Sequence, residues 1–182
     1  GFIGSHMSLR LIELGHSPVL LDNLSNSSIK VLKAIKEITG TAPNFVKADI
    51  RDSKVLNKIF LDYDFDAVIH FAAAKSIGES VLDPMKYYEN NVLGSFNLIN
   101  SMRNHNVSNL VFSSSASVYG DAAIVPIAED SLLNPTNPYG RSKLITENML
   151  ADLFKTEEDW SISMLRYFNP IGAHKSGLIG ED

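Results

Sequence analysis

Residues 1–22, GFIGSHMSLRLIELGHSPVLLD, pass from two glycines through an apolar helical stretch to a short strand that ends on an acid. Met7, Leu9, Leu11, Ile12 and Leu14 predict a strongly apolar helix over 4–14, stopped by Gly15, and PVLLD predicts a buried strand over 18–22. Gly1 and Gly4 have the spacing of the second and third glycines of a dinucleotide-binding turn, where the backbone approaches a pyrophosphate and the helix N-terminus supplies oriented N–H groups. Alone, GxxG reads as a plain helix-opening turn. Asp22 shifts the balance, because it ends the next apolar strand about 20 residues on, where that fingerprint places an acid for the adenosine ribose hydroxyls. A carboxylate there would also repel a ribose phosphate, which favours NAD over NADP.

The same beat of helix and strand continues along the chain. A helix over 28–38 ends at Gly40 and FVKAD follows at 45–49; a helix over 53–61 leads into DAVIHFA at 66–72. Asp83 as N-cap with Pro84 at the first helical position starts a long helix that leads into a strand over 110–113. Asn137-Pro138 repeats that start just before Tyr139, for a helix reaching Lys155, and SISMLRYF at 161–168 is the last strand. The alternation argues an α/β fold with a doubly wound parallel sheet of Rossmann type. Nothing marks a second domain, so 1–182 reads as one NAD-binding domain, and the stretch between Tyr119 and Asn137 as its longest loop. With Gly1 in place of an initiator Met, and an end on GLIGED after Gly172 with no further element, the chain reads as incomplete at both ends.

Hydrophobic residues make up 45% and charged residues 20%, an ordinary soluble composition, and no apolar run approaches membrane length. The net charge of −5 disfavours a phosphate-backbone partner, since nonspecific nucleic-acid binding is supplied by clustered Lys and Arg. The absence of cysteine excludes disulfide frameworks, thiol nucleophiles and thiolate zinc sites, and fits a cytoplasmic location. No nucleic acid and no membrane are therefore expected as partners.

Tyr139 and Lys143 are four apart on a helix and share a face. An ordinary Tyr titrates near ~10, and a neighbouring ammonium favours its phenolate, so such a pair can supply a base at neutral pH. A lone YxxxK is equally a chance surface pair. Ser113, Ser114 and Ser115 follow a strand at the carboxyl edge where open parallel sheets bind ligands; strand-end capping would explain them too, and only the presence of Tyr139 gives their hydroxyls a chemical task. His70, in an apolar strand, reads as a satisfied core histidine. His6, His16, His105 and His174 show no ligand spacing, so no metal is expected. Asp62, Asp64 and Asp66 read as a solvated turn, while Arg166 and Lys75 could each pair with a phosphate or a surface carboxylate.

Taken in order, GFIGSH, LDNLSNS, DIRD, HFAAAKSIGES, YYENNV, FSSSASVYGD, NPYGRSK and LRYFNPIGAH resemble the UDP-glucose 4-epimerase group of the extended short-chain dehydrogenase family, collinearly and over essentially the whole chain. YxxxK alone indicates only the superfamily; the combination is far more specific. The resemblance implies an isomerase of galactose metabolism that holds NAD+ permanently and interconverts UDP-glucose and UDP-galactose through a 4-keto sugar. It implies that Tyr139 takes the proton of the 4-hydroxyl, that Ser115 hydrogen-bonds the 4-oxygen, and that Lys143 holds the nicotinamide ribose. Gly1, Phe2, Ile3 and Gly4 would form the pyrophosphate turn, and Asp22, Asn23, Leu24, Ser25, Asn26 and Ser27 would lie at the adenosine ribose. Asp49 and Ile50 would flank adenine. Phe71, Ala72, Ala73, Ala74, Lys75, Asn90 and Phe168 would line the rest of the cofactor path, with Ser115, Tyr139 and Lys143 at its reactive end. Lys75, Asn169, Ser115 and Tyr139 would face the substrate.

Ala73-Ala74 stand where the family often has Gly-Leu, and Ser117 replaces a common Thr, both conservatively. The first strand, the first glycine and the carboxyl-terminal sugar-binding lobe of the family are absent. The 182 residues by themselves are therefore expected to be inactive and poor at retaining NAD, and a homodimer is expected only of the full-length enzyme. Two alternatives remain: another NAD-dependent nucleotide-sugar epimerase or dehydratase, and a catalytically incompetent NAD-binding fragment. Against a dehydratase, Ser115 is followed by Ala116 and Ser117, which lack the acid and base that elimination of water needs.

Overall fold

The computed structural model describes residues 1–122 and 124–180; Ala123, in the expected long loop, and Glu181 and Asp182 of the terminal GLIGED lie outside the described residues. Two compact units divide the chain, Gly1–Asp49 together with Pro170–Asp182, and Ile50–Asn169.

In the first unit, helix α1 (Phe2–Glu13) begins at Gly1, which offers no side-chain cap. Strand β1 (Val19–Asp22), helix α2 (Lys30–Thr39) and strand β2 (Asn44–Lys47) follow. β1 and β2 pair in parallel, from Val19 opposite Asn44 to Asp22 opposite Lys47. Val31, Ala34, Ile35 and Ile38 recur at helical spacing on α2 and pack around buried Leu9, Ile35 and Ile179 with Ile12 and Leu20. α2 stops at Gly40, whose left-handed φ of +75° closes the last turn.

In the second unit, Asp52 caps helix α3 (Ser53–Asp62), its Oδ1 accepting from the Lys54 and Val55 amides at 3.0 and 3.1 Å. Strand β3 (Val68–His70) leads to helix α4 (Ile77–Leu82), capped by Ser76. Helix α5 (Pro84–Tyr87), a π-helical turn (Tyr88–Leu93) and helix α6 (Gly94–Asn104) come next. Strand β4 (Asn109–Ser115) runs into a 3-10 turn (Ala116–Tyr119), and helix α7 (Pro138–Thr156) precedes strand β5 (Ser161–Tyr167). β4 is central, pairing in parallel with β3 on one side and β5 on the other.

Parallel sheets with flanking helices are the expected α/β, Rossmann-like architecture. Among the described residues, β1 pairs with β2 alone and β3 with β4 alone. The caps at Asp83 and Asn137 form as expected, Asp83 Oδ1 accepting from the Lys86 amide at 3.2 Å and Asn137 Oδ1 from the Gly140 amide at 2.8 Å. One expectation is corrected. The stretch after Pro84 is three elements rather than one long helix, because a π turn widens it where the Asn91 side chain leaves to bond the backbone of Ala74. Helix α4 also precedes it, unforeseen. Among the described residues no helix is long and apolar enough to cross a membrane.

His70 is the satisfied core histidine its apolar strand suggested. The Ser95 hydroxyl donates to the Asn91 carbonyl, so its oxygen accepts from His70 Nε2–H at 2.8 Å, and the ring is a neutral tautomer. Burial, then the charge of Lys143, lowers His70 to about 3 from 6.5. The unfolded chain therefore binds the proton first: this contribution is complete above about pH 6.5 and is lost as pH falls toward 3, on the order of a few kcal/mol. His70→Gln, which can still donate to Ser95, is expected to flatten the loss of stability between pH 7 and pH 4, read from denaturant midpoints at each pH.

Candidate active site

Pro138 at the first helical position and the Asn137 cap set where α7 begins, so Tyr139 lies in its first turn and Lys143 one turn later on the same face. Tyr139 is half-buried, its ring edge-on to Tyr87 with centroids 6.4 Å apart. Tyr87 is fully buried and its hydroxyl donates to Glu79 Oε2 at 2.9 Å. Burial and the hydrogen bond to Glu79 push the Tyr87 phenol up to about 12, which leaves it a neutral wall beside Tyr139.

Lys143 is only 4% exposed. Its Nζ donates to the Ser113 carbonyl at 2.7 Å and stands 5.0 Å from the centre of the Phe112 ring. Burial draws the ammonium down to about 8, and the carboxylate of Glu147 works against that fall. An ammonium carries three N–H donors, so the bond to Ser113 leaves two for a ligand. The next two residues of β4 have other partners: the Ser114 hydroxyl donates to Glu147, and the Ser115 oxygen accepts from the Ser117 amide at 3.2 Å. Ser115 thus caps the 3-10 turn, the bland reading of that position, and its hydroxyl donates to Ser117 Oγ at 3.2 Å.

Asn91 carries a second part of the arrangement. Its Oδ1 accepts from the Ala74 amide at 2.8 Å and from Asn90 Nδ2 at 2.9 Å, while its Nδ2 donates to the Ala74 carbonyl and to Ser142 Oγ, both at 3.0 Å. The segment after β3, with half-buried Phe71, Ala72, Ala73 and Ala74, is thereby tied to the residue preceding Lys143. Asn91, Ser142 and Glu147 were not singled out in the sequence. The signal for Glu147 was its position one turn beyond Lys143; Asn91 had none beyond its neighbour Asn90. Ile50 is buried, its side chain set against Gly94, where an added Cβ would lie 2.6 Å from it. Lys75, Phe168 and Asn169 are exposed, the last two beyond the end of β5, and the described contacts join neither of them to Tyr139.

In the first unit, the carboxylate of Asp22 closes the loop that follows β1. Its Oδ1 accepts from the Leu24 amide at 2.7 Å and from Ser27 Oγ at 2.8 Å. Leu24 takes a left-handed φ of +62°, uncommon for a leucine, which those bonds help to hold. Asn23 Oδ1 accepts from the Ser25 amide at 2.9 Å and its Nδ2 donates to Asp49 Oδ2 at 2.9 Å; Ser25 and Asn26 are exposed. The second Asp22 oxygen lies 3.6 Å from the Gly1 nitrogen, and a Cβ on Gly1 would meet no protein atom within 4 Å. The acid therefore stands at the glycine start of α1, where a carboxylate can accept from a ribose diol and backbone N–H groups can donate to the linked phosphates. Phe2 and Ile3, with His6 and residues 170–174, line a cavity of about 370 Å³. Of the two readings of Arg166 the carboxylate holds, but the acid, Glu147, is buried rather than on the surface.

Each unit carries a feature of nucleotide-binding α/β enzymes: an acid ends the strand after a glycine turn in the first, and a Tyr-Lys helical pair lies against the carboxyl end of a parallel strand in the second. The chain belongs to the NAD dependent epimerase/dehydratase family, whose model matches residues 1–180. It is 53% identical over 182 residues to the UDP-glucose 4-epimerase of Dictyostelium discoideum and 50% identical over 182 residues to that of Bacillus subtilis. All of the chain is covered in both, against 53% and 54% of the relatives, so the chain spans about half their length. Among solved structures, the UDP-glucose 4-epimerase of Stenotrophomonas maltophila with bound NAD and formylated UDP-arabinopyranose matches with a TM-score of 0.97 at 49% identity, over 100% of this chain and 54% of that one. The enzyme from Bifidobacterium longum, in complex with NAD+ and UDP, matches with a TM-score of 0.97 at 43% identity, over 100% of this chain and 55% of that one.

Proposed function

We propose that this chain is the cofactor-binding and proton-transferring part of an enzyme that interconverts UDP-glucose and UDP-galactose. The observation that carries the reading is Lys143, buried against the Ser113 carbonyl of β4 and one turn from Tyr139, in a chain about half identical to UDP-glucose 4-epimerases. NAD, when bound, would supply the hydride acceptor for carbon 4 of the sugar and the hydride donor for its opposite face. Tyr139 takes the proton of the 4-hydroxyl at its phenol oxygen and gives it back after the 4-keto sugar has turned over, so no net redox change results. The Ser115 hydroxyl, released from its cap on Ser117, bonds the 4-oxygen. Lys143 uses its two remaining N–H donors on the nicotinamide ribose. Asp22 accepts from the adenosine ribose, with Gly1, Phe2, Ile3 and Gly4 at the phosphates and Asp49 and Ile50 beside the base. Asn90, Phe71 and Phe168 line the remainder of the path, and Lys75 and Asn169 meet the nucleotide sugar. A cytoplasmic homodimer completes the proposal.

The test is turnover of UDP-galactose by the complete protein in D2O, followed by NMR. The expected product is UDP-glucose that keeps protium at carbon 4, because the hydride never exchanges with solvent. Deuterium at carbon 4, or a dehydrated sugar as product, would overturn the reading. Asp22→Ala is expected to weaken NAD binding and to relax discrimination against NADP, since the carboxylate both accepts from the ribose and repels a phosphate. Parallel titrations of the two cofactors check this, and an unaltered preference would remove Asp22 from the ribose.

A further inference from the structure

A buried carboxylate sits one turn beyond Lys143 on α7 and is used by none of the chemistry above. Glu147 is 3% exposed, and side chains from two strands converge on it. Ser114 Oγ on β4 donates to its Oε1; Arg166 on β5 donates from Nε at 3.0 Å and from Nη2 at 2.8 Å, a bidentate fork. Arg166 is itself fixed from behind by the Tyr119 hydroxyl at 2.8 Å, the Glu129 carbonyl at 2.9 Å and the Tyr119 ring. Successive residues of β4 therefore hold successive turns of α7: the Ser113 carbonyl takes Lys143, and the Ser114 hydroxyl takes Glu147. Ser115 is the next residue, so the pair of bonds that seats α7 also sets Tyr139 and Ser115 relative to one another.

We propose that Glu147, gripped by Arg166 and Ser114, is a positioning residue that seats Lys143 against β4 and keeps it charged for its work beside Tyr139. The inference rests on the functional reading above. An ammonium buried at the end of a sheet loses its proton readily, and Glu147 is the acid that opposes this. The other groups around Lys143 cannot replace it. His70 on β3 is neutral, and β4 presents the Phe112 ring and a carbonyl. Arg166 on β5 spends its donors on Glu147, Tyr119 and Glu129. Removing the negative charge favours the neutral amine, so Lys143 would lose its proton at a lower pH and the alkaline limb of turnover would move down with it.

The experiment reads Lys143 directly, by NMR titration of lysine labelled with 13C at the ε carbon in the complete protein, alongside the pH profile of kcat. Glu147→Gln keeps the shape and an acceptor for Ser114 and Arg166; it is expected to lower the Lys143 midpoint by on the order of one pH unit. E147M combined with R166M replaces the ion pair by an apolar pair, an exchange that commonly preserves stability, and is expected to lower the midpoint as well. Glu147→Asp retains the charge and is expected to leave the midpoint near that of the unsubstituted protein even where packing loss reduces kcat. A Lys143 midpoint unmoved in E147Q or in the double variant, or moved equally by E147D, would overturn the proposal. Because the midpoint is read without substrate, that failure is distinct from failure of the epimerase reading, which the carbon 4 isotope test decides.

Discussion

Tyr139→Phe is expected to abolish nearly all turnover of the complete enzyme while leaving the cofactor bound. The substitution removes one oxygen and keeps the ring, so the edge-on contact with Tyr87 survives and α7 keeps its seat. What is lost is the atom that exchanges a proton with the sugar. General acid-base groups contribute on the order of a hundred- to ten-thousand-fold, and kcat should fall by about that factor with no proportionate change in cofactor content after gel filtration. Tyr87 does not substitute: its phenol is pushed up to about 12 and its proton is committed to Glu79. Turnover within a few-fold of the unsubstituted enzyme would remove Tyr139 from the role of base.

Arg166→Met carries the largest expected effect on stability. It strips two charged donors from a carboxylate that is almost wholly buried and leaves Glu147 with the Ser114 hydroxyl alone. Breaking a buried ion pair from one side costs roughly 3–5 kcal/mol, because the surviving charge is left uncompensated. Adding Glu147→Met to the same protein should recover most of that loss, since neither member of the pair then remains to be compensated. Denaturant midpoints of the single and double variants decide the matter. A single variant as stable as the unsubstituted protein would mean that Glu147 finds another partner or takes up a proton at small cost.

Local signals carried much of the fold. Asp83-Pro84 and Asn137-Pro138 announced helix starts because a cap and a proline act within one turn, and both caps form. Asp22 stood out because it ends an apolar strand, and the structure places it there with Leu24 and Ser27 on its carboxylate. The Tyr-Lys pair was legible for the same reason, as a helix brings residues four apart onto one face. Other features depend on tertiary register. Arg166 meets Glu147 only because β5 lies beside β4 with Arg166 opposite Ser114, a register that no local periodicity around either residue encodes. Ser115 had two readings in the sequence, and its cap on Ser117 rests on where the strand turns, which composition does not state. The π turn escaped notice because apolar periodicity at this resolution does not distinguish one residue more or less per turn.

That turn makes chain length, and not only residue identity, a matter of selection. A π turn accommodates one residue more than the α-helical turn it replaces, and each residue of an α-helix advances the azimuth by about 100°. Deleting any one of the six residues Tyr88–Leu93 would let α5 and α6 run on as a regular helix and would draw the side chains of the turn in from the wider spacing that now sets them. Asn91 and Ser95 could not then both keep their partners, the one on Ala74 and Ser142, the other on His70. Substitutions at these six positions can be absorbed one side chain at a time, but a gap cannot. In descent from a common ancestor, this segment should accordingly accumulate replacements while resisting insertions and deletions.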